Sequence, residues 1–347
     1  MPQSDQIPAD EMVRPAPPAA PVDLRRDPQL LSAVARLSEL SEYRTLAAIA
    51  WQWAVIALAI GLWYSLPADL GIVRWLVYAL CVVVIASRQH AFLILMHEGA
   101  HGRISRYRAW NDFVSDITCA FPLGIATKLY RERHLKHHQF TNTERDPDWT
   151  IVKPYRDWQW PKKRGPAFAV FTRDVTGLSS HMLILTLMLW SPARKLFVKR
   201  KLTMTTWERV RLFAFYLIVA ALLTWCHLWL GFLLFWIVPL LTATTAIARL
   251  RSIAEHMAVP SAHELNQTRE VVPSLVEKLL LAPLHVNYHL SHHLFPSVPF
   301  YRLPELHRTL MAVDAFQQHA HLTVTYLGPR RGTWAELTTV APLGSAR

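Results

Sequence analysis

Residues 45–66 read TLAAIAWQWAVIALAIGLWYSL and residues 71–87 read GIVRWLVYALCVVVIAS, with only PADL between them. A helix needs roughly 20 apolar residues to cross the hydrocarbon core of a bilayer. The first run meets that length, and the second reaches it by continuing into RQHAFLILMHEGAH. RLFAFYLIVAALLTWCHLW (211–229) and LGFLLFWIVPLLTATTAIA (230–248) repeat the arrangement, with little more than Gly231 at the link. Links this short join antiparallel neighbours, so each pair reads as a helical hairpin. The expected fold is all-α and integral to the membrane. It has four transmembrane helices in two hairpins, with spans at about 45–66, 71–90, 211–229 and 230–249.

Composition agrees: 52% of the 347 residues are hydrophobic and 14 are Trp. The formal charge of +12 would suit nucleic acid, but the chain carries neither a basic reading motif nor an aromatic platform. The cations instead flank the spans: Arg25, Arg26, Arg36 and Arg44 before the first, Arg103, Arg106 and Arg108 after the second, 199–211 before the third, Arg249 and Arg251 after the fourth. The positive-inside rule then places both termini, residues 88–210 and residues 249–347 in the cytoplasm, as a helical cap on one face of the membrane. Two shorter apolar stretches, 113–126 and 180–190, are expected to lie in the interface or pack under the spans. Residues 1–28, rich in Pro and Ala and without a signal-peptide core, read as a flexible tail; 29–325 form the membrane domain and 326–347 a C-terminal tail. Cys81, Cys119 and Cys226 form no CxxC pair, which excludes a disulfide framework and a cysteine zinc site.

Every histidine cluster falls in the cap. His97 and His101 stand four apart in HEGAH. RERHLKHHQFTN (131–142) carries His134, His137 and His138 among Arg131, Arg133 and Lys136, and NYHLSHH carries His289, His292 and His293. With 17 histidines in the chain, chance supplies two HxxHH groups in roughly 0.1% of such sequences, so solvated helix faces are a poor explanation. Spacings of three and four converge on one helix face. Neutral imidazole ligates Fe, Zn, Cu or Ni, and a bound metal keeps a ring deprotonated even beside cations. Eight histidines exceed what one ion takes, so two metals are implied, and His256, just past the fourth span, joins the set. His285, one turn before His289, is a candidate supporting residue, as are Glu98, Asp146, Asp148 and Glu255, whose carboxylates can accept imidazole N–H groups. Asp146 and Asp148 also fit a plain turn around Pro147. His90, seven residues before His97, stays outside the ligand set; His181, His227, His263, His307, His319 and His321 lack partners at helical spacing.

HEGAH, HLKHH and NYHLSHHLFP, in that order and at those places relative to the spans, resemble the histidine boxes of the integral-membrane fatty acid desaturase and hydroxylase superfamily over roughly residues 45–310. HHQFTNTERDPDW and HHLFPSVPFYRLPELH are similar to its bacterial members. The resemblance implies a non-haem di-iron centre on His97, His101, His134, His137, His138, His289, His292 and His293, with His256 as the additional ligand. It also implies O2 and two electrons used to oxidise C–H bonds. Some acyl-CoA desaturases have an Asn four residues before that additional histidine; here the position is Ser252. The implied substrate is a fatty acyl chain or another apolar molecule sliding out of the bilayer, and the simplest outcome is desaturation. Hydroxylation, oxidative decarboxylation to a terminal alkene, and carotenoid ketolation or hydroxylation use the same chemistry. No cysteine cluster is fused to the chain, so a separate donor such as ferredoxin is expected, with nucleic acid no partner and the bacterial inner membrane the location. A metal transporter or storage protein is the rival class, but it would set ligands near the bilayer midplane.

Overall fold

The computed structural model describes residues 24–181, 184 and 204–339. It is helical almost throughout. α1 (Pro28–Leu37) starts behind Asp27, whose carboxylate accepts the amides of Gln29 and Leu30 at 2.8 and 3.2 Å. Leu24 just before it is buried, so residues 24–28, expected in the flexible tail, are folded; residues 1–23 lie outside the described residues.

α2 (Glu42–Ser65) and α3 (Ile72–Ala100) form the first hairpin. Pro67 ends the first helix cleanly, and Gly71, at φ +52°, turns the chain into the second. The 29 residues of α3 rise about 44 Å, against about 30 Å of hydrocarbon core. Its last third therefore leaves the apolar layer as helix and carries the first histidines with it. Apart from Arg88 and Leu93, residues 85–100 are buried, whereas Ile72, Trp75, Leu76 and Leu80 at the other end stand exposed.

After α4 (Arg108–Ser115), α5 (Thr127–Phe140), α6 (Pro147–Val152) and α7 (Arg164–Val175) comes the second hairpin, α8 (Thr206–Trp225) and α9 (Trp229–His256). α9 passes through a π turn at Leu233–Ile237 and breaks at Thr242, soon after Pro239, which has no amide to continue the ladder. By length and composition α2, α3 and α9 can each cross a membrane. α8, expected as the third span, is long enough but opens on a capping box, with Glu208, Arg209 and Arg211 in its first turns. It buries only Leu212 and turns Phe213, Leu217, Ile218 and Leu222 outward.

The apolar stretch at 113–126 packs inside, with Cys119, Ala120, Phe121, Leu123 and Ile125 buried. Of the stretch at 180–190, residues 182–183 and 185–190 lie outside the described residues, as do 199–203 of the basic segment. α10 (Leu275–Leu280), α11 (His289–Leu294), α12 (Leu303–Leu310) and α13 (Asp314–His319) complete the cap with a small parallel sheet, in which β1 (Glu270–Val272) pairs with β2 (Leu322–Val324). The expected C-terminal tail needs correction from 326 to 339. Tyr326 and Leu337 are buried, the amides of Tyr326 and Leu327 donate to Glu277 Oε1 at 2.9 and 2.8 Å, and α14 (Thr333–Thr338) packs by Leu337 against Ile253 and Met257. An amphipathic turn this short carries too weak a pattern to be read from sequence.

Candidate metal centre

The C-terminal end of α3 supplies His97 and, at its cap, His101; α5 supplies His134, His137 and His138; α9 ends on His256; α11 supplies His289, His292 and His293. Arg131 holds two of these elements together. It is buried, donates to the carbonyls of Ala100 and Gly99 at 2.7 Å each, and pairs with Asp112 at 2.5 Å. It thus caps the open carbonyls at the end of α3. Arg133 turns aside to Asp148 at 2.8 Å, and Lys136 is exposed. The cations among the histidines are therefore aimed away from them. Gly99 permits the close approach of α3 to α4: a Cβ there would collide with the Ser115 side chain.

All nine histidines expected as ligands converge, in two groups. His97, His101, His134, His138 and His292 offer nitrogens within 4.8 Å of one another; His137, His256 and His293 form a second group, with His289 and Glu255 against His256. The rings of His289 and His293 are 4.5 Å apart, and His138 stacks on His293 at 4.2 Å, joining the two groups.

Nitrogen separations test whether the groups fit metal ions. His134 Nε2 lies 2.9 Å from both His101 Nε2 and His138 Nε2, His138 Nε2 lies 3.3 Å from His292 Nε2, and His256 Nε2 lies 2.8 Å from His289 Nε2. A neutral ring nitrogen either donates one hydrogen bond or accepts one, so His134 cannot satisfy both neighbours. Two nitrogens each about 2.0–2.1 Å from a shared ion, at tetrahedral to octahedral angles, sit about 2.9–3.4 Å apart. His97 Nε2 and His293 Nε2 are buried and have no hydrogen-bond partner among the described residues. The donor set fits two first-row metal ions.

Burial and the neighbouring imidazoles hold His134, His289, His292 and His293 well below the ordinary histidine pKa. Burial, then the charges of Arg103 and Arg131, takes His101 down to about 3; burial, then His101 and His137, takes His138 to about 2. These rings are neutral at pH 7, as ligation requires. His137 is the exception. Burial would lower it, but the hydrogen bond to Asp146 and the charge of Asp148 carry it above the ordinary value.

Asp146, 1% exposed, meets His137 Nδ1 at 2.9 and 3.0 Å while capping α6 through the amides of Asp148 and Trp149. Asp148 stands 3.9 Å from the same nitrogen. Glu98 accepts the Phe300 amide at 3.0 Å and comes to 3.7 Å from His97 Nδ1. Glu255 pairs with Arg251 at 2.7 Å and reaches 3.5 Å from His289 Nε2, which places it among the atoms that could touch a metal. His285 joins neither group, because its backbone at φ +60° breaks the helix that its spacing from His289 assumed. Arg249 and Arg251, read from sequence as flanking cations, are engaged inside the fold: Arg249 is 2% exposed and forks onto Asp174 at 2.6 and 3.0 Å.

Three supporting residues escaped the sequence reading. Tyr130 Oη lies 3.2 Å from His134 Nδ1, Thr141 Oγ1 3.3 Å from His293 Nδ1, and Arg251 Nη2 3.4 Å from His289 Nδ1. Tyr130 precedes His134 by one helical turn, and this spacing was available as a signal. Beside the second group a cavity of about 200 Å³ opens between α3, α5, α6 and α9, walled on its apolar side by Leu93, Met96, Trp149, Ile151, Val152 and Met257.

Helices able to cross a membrane and two imidazole groups gathered at their ends define a membrane protein with histidine clusters able to bind metal. This chain belongs to the fatty acid desaturase family, whose model matches residues 74–325. It is 28% identical over 249 residues to the dihydrorhizobitoxine desaturase of Bradyrhizobium elkanii, covering 69% of each chain. It is 27% identical over 273 residues to the sn-1 oleoyl-lipid 12-desaturase of Anabaena variabilis, covering 73% of this chain and 74% of that one. Membership in this family makes the chain a desaturase-like oxidoreductase.

Proposed function

We propose that the chain is an O2-dependent di-iron desaturase of the membrane. His97, His101, His134, His138 and His292 hold one iron, and His137, His256, His289 and His293 the other. The observation that carries this reading is the sorting of nine histidines from four helices into two groups with the nitrogen separations of shared ligands. Two irons held there would let O2, with two electrons from a donor, remove hydrogen from an unactivated C–H bond, a redox role that zinc cannot take.

The protein's own part is to present lone pairs and exclude water. Asp146 keeps the proton of His137 on Nδ1, Tyr130 does so for His134 and Thr141 for His293, leaving each Nε2 to face a metal. The cavity beside the second group receives the chain to be oxidised, fatty acyl or similar, and its apolar wall keeps that chain dry. Desaturation is preferred over hydroxylation, decarboxylation or ring oxidation because both named relatives are desaturases. The outcome turns on where the chain stops relative to the metals, to within about an ångström. Electrons come from a separate carrier such as ferredoxin, docking on the basic face of the cap. α8 completes a set of four spans, with its outward apolar side chains in lipid and the cap in the cytoplasm of a bacterial inner membrane.

The test compares a host expressing the full chain with hosts expressing His137→Ala or His292→Ala, by iron content of the purified protein and by mass spectrometry of cellular acyl products. New unsaturated products and about two irons per chain are expected from the unaltered protein only. Undiminished iron and product in both variants would refute the ligand assignment.

A further inference from the structure

His90 lies on α3 seven residues before His97, about 10 Å deeper along the helix axis and on nearly the same face. It is 1% exposed, it lines the cavity beside the second group, and neither ring nitrogen has a hydrogen-bond partner among the described residues. An ionisable side chain inside a membrane span is costly and marks function unless a partner is found. A second polar group faces the same space from α9. Arg249 lines the cavity, and its Nη1 is buried without a hydrogen-bond partner among the described residues, although the rest of the guanidinium is tied to Asp174 and stacked over Trp158 at 4.6 Å. Ser252, one turn from Arg249 on the same helix face, also lines it.

These groups have spare hydrogen-bonding capacity but no spare charge. Arg249 is matched by Asp174, Arg251 by Glu255 and Arg133 by Asp148. A carboxylate added beside His90 would find no unmatched side-chain cation among the described residues that line the cavity, and His97, of the first histidine group, is about 10 Å away along α3, so burying the charge would be unfavourable. A hydrocarbon tail would leave His90 and Arg249 Nη1 unsatisfied. An uncharged oxygen answers both objections, since it accepts from Arg249 or His90 and, as a hydroxyl, can also donate to the free nitrogen of His90.

We propose that the cavity, where His90 and Arg249 line it, binds an uncharged oxygen function of the substrate, so that the substrate carries a hydroxyl or carbonyl and is not a plain hydrocarbon tail. This rests on the desaturase reading for the cavity's place in the reaction but not for the binding itself. The test is calorimetric titration of the full chain in nanodiscs with hexan-1-ol, hexane and hexanoate, corrected against empty nanodiscs, for the unaltered protein and for His90→Phe. Hexan-1-ol should bind about 10-fold more tightly than hexane, the worth of one buried hydrogen bond. In His90→Phe the preference should fall away while iron content stays the same and the thermal midpoint does not drop, because the change removes two unpartnered nitrogens. If His90→Phe does not fold, Ser252→Ala, which leaves the helix intact, should weaken the same preference. Equal binding of hexane and hexan-1-ol would mean that water alone satisfies His90, and tightest binding of hexanoate would mean an anionic site; either overturns the proposal. A protein that shows the alcohol preference but binds no iron would refute the desaturase reading and leave this one standing.

Discussion

Replacing Asp146 by Asn isolates one hydrogen bond at the centre. In the native side chain both oxygens face His137 Nδ1, at 3.0 and 2.9 Å, and the second also accepts the Asn142 amide at 3.0 Å. Asparagine keeps one oxygen to cap α6, and Asn and Asp are about equal as caps, so the fold should be little changed. Its NH2 group, however, faces an imidazole N–H. The oxygen that remains, 3.0 Å from Nδ1 but uncharged and shared with the amides it caps, holds the proton there less firmly, so more of the ring takes the tautomer with the proton on Nε2, the nitrogen meant for the metal. Losing such a partner typically weakens metal binding about 10- to 100-fold, or about 1.4–2.8 kcal/mol. Iron affinity measured by competition with a chelator of known strength should fall by that amount, with the helical signal unchanged. The metal-free protein gives an independent check. His137 titrates above its ordinary 6.5, so its share of stability is present below that pH and is lost as pH rises through the raised value. Asp146 titrates below 3.8, so its share is present above that pH and is lost as pH falls through the lowered value. The pair should therefore stabilise the metal-free protein most between about pH 4 and 6.5, and Asp146→Asn should flatten that maximum. Unaltered iron affinity in the variant would show that Asp146 does not orient His137.

Two further perturbations address the frame around the site. Gly99→Ala places a methyl group against Ser115 and should cost about 1–3 kcal/mol in thermal or denaturant unfolding, with partial loss of iron because His97 and His101 flank the displaced turn. Cys226 is exposed in the link between α8 and α9, whereas Cys81 and Cys119 are buried, so the native chain carries one accessible thiol. A membrane-impermeant maleimide should label it in intact cells, while an Arg106→Cys variant on the cap should gain a second label only after lysis. Labelling of Cys226 only after lysis would reverse the topology proposed for the second hairpin.

How much was legible in the sequence depended on the range over which each signal acts. The hairpins followed from apolar length and short links, and the histidines from helical spacing; both are local properties of the chain. α8 fell short of a span on composition because Glu208, which closes the capping box with Thr205, is followed by Arg209 and Arg211 in its first turns. Asp146 was found because it sits beside its box. Thr141 and Arg251 were not, because what makes them matter is a partner 152 residues away in one case and 38 in the other. The fate of residues 326–339 was hidden for the same reason: Tyr326 is anchored by Glu277, a contact no local pattern announces. Arg249 was misread because an arginine just after a span fits the flank of a membrane helix equally well whether it faces headgroups or, as here, a buried Asp174.

The spacing within the boxes also explains why adjacent histidines are needed. Successive residues on a helix are turned by about 100°, so positions i and i+4 differ by about 40° while i+3 falls about 60° to the other side. In α5, His134 and His138 stand at i and i+4 and share the first group, and His137 at i+3 is turned into the second. In α11 the order is reversed: His289 and His293, again four apart, lie with the second group, and His292 is turned into the first. Each HH pair is thus a fork, with one ring for each histidine group, and the stacked rings of His138 and His293 lie where the forks cross. Neither helix can slide or rotate without disturbing both groups at once. The distance between the two histidine groups is therefore set by two helices held against the ends of α3 and α9, and not by the loops that join them.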